Sequence, residues 1–149
     1  MKALILAAGL GTRLKPRTNS IPKCLLKIKG VPLLDIWIKK IIDTEIREIF
    51  INTHYLSEQV YNFIREKNYP IKINLLNERK LLGTAGTLKQ NIESFLGDDL
   101  LLVHGDNYMK ENLNNLILTH MQKPEFCLMT IVAFLTENPQ TCGIIEVDN

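Results

Sequence analysis

The spacing of apolar positions changes repeatedly along the chain. Lys2 to Ala7 forms an apolar run of strand length that ends in Gly9, as for a strand buried on both faces of a parallel sheet. After Pro32 the period lengthens. Leu33, Leu34, Trp37, Ile38, Ile41 and Ile42 recur at helical spacing, with proline suited to the first turn. Glu48 to Asn52 reads as a strand, Ser57 can cap a helix carrying Val60, Phe63 and Ile64, and Ile71 to Leu76 reads as another strand. A helix from Thr84 to Phe95, a strand from Leu100 to Val103 and a helix from Asn112 to Met121 follow, then strands near Phe126 to Phe134 and Gly143 to Val147.

Strands alternating with helices imply right-handed crossovers and a mostly parallel sheet with helices on both faces. The expected fold is therefore α/β, a Rossmann-like three-layer α/β/α arrangement whose ligand site lies at the carboxyl edge of the sheet. At 149 residues, without an internal repeat or a linker, the chain reads as one domain.

Composition narrows the function classes. No apolar run approaches the roughly 20 residues that span a bilayer, and Ala3 to Ala8 is shorter than a signal-peptide core. A cytoplasmic protein without a membrane partner is expected. Cys24, Cys127 and Cys142 form no Cys-x-x-Cys pair and leave an odd count, against both a disulfide framework and a zinc site.

Charge is unevenly placed. Lys2, Arg13, Lys15, Arg17, Lys23, Lys27 and Lys29 all precede the first acidic residue, Asp35, whereas the remaining 11 basic residues face 16 acidic ones. This points to a local anion site near the N-terminus. A nucleic-acid surface would interleave aromatics for stacking, yet none precedes Trp37, so no nucleic-acid partner is expected.

The loop after the first strand carries Gly9-Leu-Gly11-Thr-Arg13-Leu14. Leu14 stands where a dinucleotide fingerprint needs its third glycine, and the Gly-Lys-Ser/Thr ending of a P-loop is absent. Glycines let backbone approach a phosphate, and neighbouring N–H groups can form an anion-binding concavity; a tight strand-to-helix turn is the other reading. Arg13 adds a planar bidentate donor, and Lys23 a second cation after Pro22. Asp106, beyond the strand at 100–103, should project from the same edge and can bind Mg²⁺ there, or cap a local turn.

Leu6-Ala-Ala-Gly-Leu-Gly-Thr-Arg-Leu-Lys-Pro-Arg-Thr18, followed by Ile21-Pro-Lys23, resembles the signature of sugar-1-phosphate nucleotidyltransferases. Asn52 to Leu56, Leu82 to Thr87, His104 to Asn107 and Gly143 to Val147 resemble the same family in order, so the likeness covers nearly the whole chain. The resemblance implies the nucleotide-diphospho-sugar transferase fold, a nucleoside triphosphate and a sugar 1-phosphate as substrates, and Mg²⁺ as cofactor. It implies that Leu6, Ala7, Ala8, Gly9, Gly11 and Thr12 wrap the nucleotide. Arg13 would hold the leaving pyrophosphate, Lys23 the reacting phosphates and Asp106 the metal, while Asn107 and Gly143 would lie at the sugar. Leu82-Gly-Thr-Ala-Gly86 is most similar to mannose- and heptose-1-phosphate guanylyltransferases, which favours GTP.

Glu78 could accept from the N1–H and amino group of guanine, or be an exposed loop residue. Gly83 and Gly86 would let backbone close on the base or sugar; helix start is the alternative. Asn52 and His54 follow a strand and can line the same edge, with no catalytic role assigned to His54. Arg17, where the family often has Leu, is a departure. Because family domains usually continue for roughly half this length again, residues 1–149 are expected to be the N-terminal, nucleotide-binding portion, with the sugar-binding remainder absent. A catalytically incomplete binding or regulatory module is therefore the alternative to an active enzyme. The sequence is compatible with a homo-oligomer and does not name the sugar.

Overall fold

The computed structural model describes residues 1–146, which divide into two compact units at Leu113. In chain order the first unit contains β1 (Lys2–Leu6), the two-residue strands β2 (Lys27–Ile28) and β3 (Val31–Pro32), α1 (Leu33–Ile42), β4 (Glu48–Thr53), α2 (Ser57–Lys67), β5 (Lys72–Asn77), α3 (Gly83–Gln90) and β6 (Leu100–His104). Four strands form one parallel sheet in the order β5-β4-β1-β6, and β2 and β3 form an antiparallel ribbon.

Both faces of this sheet are covered, which is why β1 has no polar alternation. Ala3, Leu4 and Ile5 are fully buried, although successive side chains point to opposite faces. On one face Leu4, Phe50 and Phe95 form a cluster joined by Leu6, Leu76, Leu88, Leu100 and Leu102, with the Phe50 and Phe95 rings edge to face at 5.1 Å. On the other face Ile5, Ile49 and Ile51 are equally sealed. From β1 the chain steps outward through β4 to β5, then crosses back to place β6 on the other side of β1. With right-handed crossovers, α1 and α2 share one face and α3 takes the opposite one. The reversal falls between β1 and β6, whose carboxyl ends diverge there, the point at which such sheets receive ligands.

Several expected boundaries move for local reasons. β1 ends at Leu6 because the N–H groups of Ala7 and Ala8 leave the ladder for the side chain of Asn52. The helix expected to reach Phe95 stops at Gln90. The Asn91 side-chain amide donates to the Thr87 carbonyl at 2.9 Å, and only a short 3-10 turn at Ile92–Ser94 follows. Ser57 opens α2 without a capping side-chain bond, and Leu56, with φ 53°, precedes it. The segment between β1 and α1 holds three 3-10 turns and the β2–β3 ribbon, none of which periodicity revealed.

The second unit contains α4 (Leu113–Met121), which begins at the last residue of the first, and a 3-10 turn at Pro139–Thr141. The strand expected at Phe126 to Phe134 is not formed. Phe126, Leu128 and Phe134 are exposed and, among the described residues, no ladder partner satisfies that backbone, without which an apolar run does not become a strand. Residues 143–146 likewise form no strand, and Val147 lies outside the described residues. No described helix is long and apolar enough to cross a membrane.

Candidate functional site

At the carboxyl edge, His104, Leu6, Asn52 and Leu76 lie side by side on β6, β1, β4 and β5. Above this row are two hollows that share Gly9, Lys23 and Asp106. The larger, of about 280 Å³, lies between Leu6 to Gly9 on one side and Leu81, Gly83 and Thr84 on the other, with Asn52, Glu78 and His104 contributing to its lining. The smaller, of about 210 Å³, is lined by Gly9 to Leu14 together with the shared cation and carboxylate.

The loop over the smaller hollow owes its shape to Gly11 and Thr18. Gly11 has φ +65°, and a Cβ there would sit 2.8 Å from Thr18 Cγ2, so a side chain is excluded by both torsion and space. Thr18 is buried and its hydroxyl donates to the Gly11 carbonyl at 2.8 Å. Tyr55 Oη donates to Asn19 O at 2.9 Å and Gln59 Nε2 to Ser20 O at 2.8 Å, which anchor the loop to the segment after β4. Gly9 differs. A Cβ there would meet no atom within 4 Å, and the open space is that of the hollows it lines. Among the described residues, no acceptor takes the N–H of Gly9, Leu10 or Gly11.

β6 delivers the acidic residue. Gly105 N–H donates to Leu6 O at 2.8 Å, and a Cβ on Gly105 would lie 3.0 Å from that same oxygen and 2.9 Å from Ile5 Cγ2. Glycine is thus required for β6 to approach β1 closely enough to set Asp106 over the loop. Lys23, on the third 3-10 turn, forms an ion pair with Asp106, both side chains being partly exposed. Arg13 has no ion-pair partner among the described residues. Trp37 Nε1 donates to Asn107 O at 2.8 Å, tying α1 to the loop after β6. Cys24 lines the larger hollow; burial pushes its thiol up to about 12, the Asp106 charge adding to this and a bond to its own backbone opposing it.

The structure therefore brings Leu6, Ala7, Ala8, Gly9, Gly11, Thr12, Arg13, Lys23, Glu78, Gly83 and Asp106 to one edge. Asn107 lines neither hollow, Gly86 packs against Leu82, and Gly143 belongs to the second unit. Glu78 lines the larger hollow but is buried, and its carboxylate accepts from Asn52 Nδ2 at 2.9 Å, Thr87 Oγ1 at 2.5 Å and Leu82 N at 3.2 Å. It is therefore not an exposed loop residue. His54 Nδ1 donates to Glu78 O at 2.7 Å, a structural bond. Sequence reasoning missed Thr18 and Thr87. Each stands inside a quoted motif, but its partner is a backbone or carboxylate group that only folding supplies.

A parallel sheet whose glycine loop, two cations and one carboxylate converge at the strand-order reversal defines an α/β protein with its candidate site at the carboxyl edge of the sheet. The chain belongs to the Nucleotidyl transferase family, which matches residues 2–149. It is similar to the bifunctional protein GlmU of Methanococcus aeolicus, at 31% identity over all of this chain and 34% of the relative. It is also similar to the D-glycero-alpha-D-manno-heptose 1-phosphate guanylyltransferase of Campylobacter jejuni, at 30% identity over 79% of this chain and 53% of the relative. Among solved structures it resembles CTP:phosphocholine cytidylyltransferase from Streptococcus pneumoniae, with a TM-score of 0.64 and 33% identity over 75% of this chain and 47% of the other. The chain spans about a third to a half of the length of the curated relatives it matches.

Proposed function

We propose that this chain carries the nucleotide-binding part of an enzyme that joins a nucleoside triphosphate, GTP by preference, to a mannose- or heptose-type sugar 1-phosphate and releases pyrophosphate. The observation that carries the reading is the meeting of Gly9 to Arg13, Lys23 and Asp106 around one hollow at the β1/β6 reversal. The larger hollow would take the nucleoside and the smaller the triphosphate. GTP is favoured by the Leu82 to Gly86 motif and by the guanylyl transfer for which the Campylobacter relative is named.

The reaction is attack by a sugar-phosphate oxygen on the α-phosphorus, and its obstacle is repulsion between anions. The attacking group is already ionised, so no protein nucleophile is required. Free N–H groups from Gly9 to Gly11 and the Arg13 guanidinium offer donors to the β- and γ-phosphates, stabilising charge on the leaving pyrophosphate. The Lys23 ammonium, paired with Asp106, would exchange that partner for a reacting phosphate oxygen. Asp106 supplies a hard oxygen of the kind Mg²⁺ takes from one or two carboxylates plus substrate phosphates. Among the described residues no three potential ligands cluster, so phosphate and water would complete the set. When bound, Mg²⁺ would neutralise phosphate charge and orient the leaving group.

The test is pyrophosphate release by this chain and by a longer version, with Mg²⁺, each of four nucleoside triphosphates and a panel of sugar 1-phosphates. Release that is greatest with GTP and mannose or heptose 1-phosphate supports the reading. Binding without release by either version favours a regulatory module.

A further inference from the structure

We infer that Asn52 is a positioning residue of the nucleotide site: its carboxamide, held by Glu78 and Thr87, sets the spacing between the β1 and α3 walls of the larger hollow. The inference rests on the proposal that this hollow receives the nucleoside. Asn52 is buried at the end of β4 and makes four bonds, all that a carboxamide can make. Oδ1 accepts from Ala7 N at 2.6 Å and Ala8 N at 3.3 Å, while Nδ2 donates to Glu78 Oε1 at 2.9 Å and Thr87 Oγ1 at 3.1 Å. The carboxylate of Glu78 decides which way the amide faces, because an acceptor-only group draws Nδ2 and turns Oδ1 toward the β1 loop.

Glu78 has no ion-pair partner among the described residues, although it is buried. Burying such a charge is unfavourable unless several donors converge on it. Those donors come from β4, from Leu82 at the start of α3 and from Thr87 within α3, so one carboxylate joins β4 to the α3 wall. Asn52 extends the same network to Ala7 and Ala8. By engaging those two N–H groups it leaves Gly9 as the first residue of the loop whose N–H has no acceptor among the described residues.

The test uses the full chain with Thr87→Val, which removes the hydroxyl at nearly constant volume, Thr87→Ser, which restores it, and Glu78→Gln. Amide hydrogen exchange at Ala7 and Ala8 is followed by NMR, and affinities are measured for four nucleoside triphosphates and for inorganic tripolyphosphate, all with Mg²⁺. Thr87→Val and Glu78→Gln are expected to speed exchange at Ala7 and Ala8 by about tenfold and to weaken nucleotide binding by about fivefold. Tripolyphosphate affinity should stay within about twofold, since its donors begin at Gly9, and Thr87→Ser should behave as wild type. Unchanged exchange in both variants overturns the inference, as does an equal loss of tripolyphosphate affinity. If wild-type protein binds no nucleotide, the nucleoside assignment of the hollow fails, while the exchange result still decides whether Asn52 fixes the loop.

Discussion

Lys23 and Asp106 are separated by 83 positions, yet they form one ion pair over the loop. Both side chains retain solvent contact, so the pair contributes little to folding; replacing either residue by Ala should change unfolding free energy by less than about 1 kcal/mol. In the complete enzyme the same replacements should lower pyrophosphate release by at least about tenfold, because each deletes a charge from the proposed reacting centre. Near-normal release would remove these two residues from the proposed chemistry. Cys24 offers a separate check, since its buried thiol stays protonated at neutral pH. Alkylation near pH 8 should modify exposed Cys142 and spare Cys24 in the folded chain, as read by peptide mass spectrometry.

At the scale of elements, the approach of β6 to β1 is the contact on which the site depends. Gly105→Ala would press a methyl group against Leu6 O and Ile5 Cγ2, forcing the end of β6 away. A loss of about 1–3 kcal/mol is expected from denaturant unfolding, together with weaker binding of Mg²⁺-nucleotide as Asp106 moves. Unaltered stability and binding would show that the two strand ends have slack. The elements themselves were largely legible. Continuous apolar runs marked β1 and β6, apolar residues broken by polar ones marked β4 and β5, and the stripe from Leu33 to Ile41 marked α1, because burial leaves an imprint on residue order. The three 3-10 turns and the β2–β3 ribbon left none. The turns are held by single bonds such as Thr18 Oγ1 to Gly11 O, and the ribbon pairs only two residues on each strand, too few to show a period.

At the scale of the whole molecule, acid should unfold the protein in a predictable direction. Burial raises the Asp35 pKa, but hydrogen bonds from Tyr69 and Lys39 and the nearby lysine charges outweigh it and hold the carboxyl below its ordinary value. Glu48 is lowered mainly by Lys72 and Asp98 mainly by Lys2. A carboxylate with a lowered folded-state pKa stabilises the fold fully above its unfolded value, and that contribution disappears as pH falls through the folded value. Urea midpoints should therefore be flat from about pH 7 to 5 and fall below about pH 4, with a shallower fall in Asp35→Asn. A midpoint that rises on acidification would contradict this sign.

Fold class, family and many of the residues gathered at the sheet edge were determined by the sequence alone. Periodicity records which faces are buried, and the motifs that carry the glycines, Arg13, Lys23 and Asp106 record the likeness to the family. What only the tertiary structure decided was how those groups are paired. Glu78, read as a base contact or a solvated loop residue, is buried and engaged with Asn52 and Thr87, and the apolar run from Phe126 to Phe134 is not a strand. The physical reason is the same in both cases. A hydrogen-bonding group or a strand edge is defined by its partner, and partners distant in sequence are set by the packing of the chain.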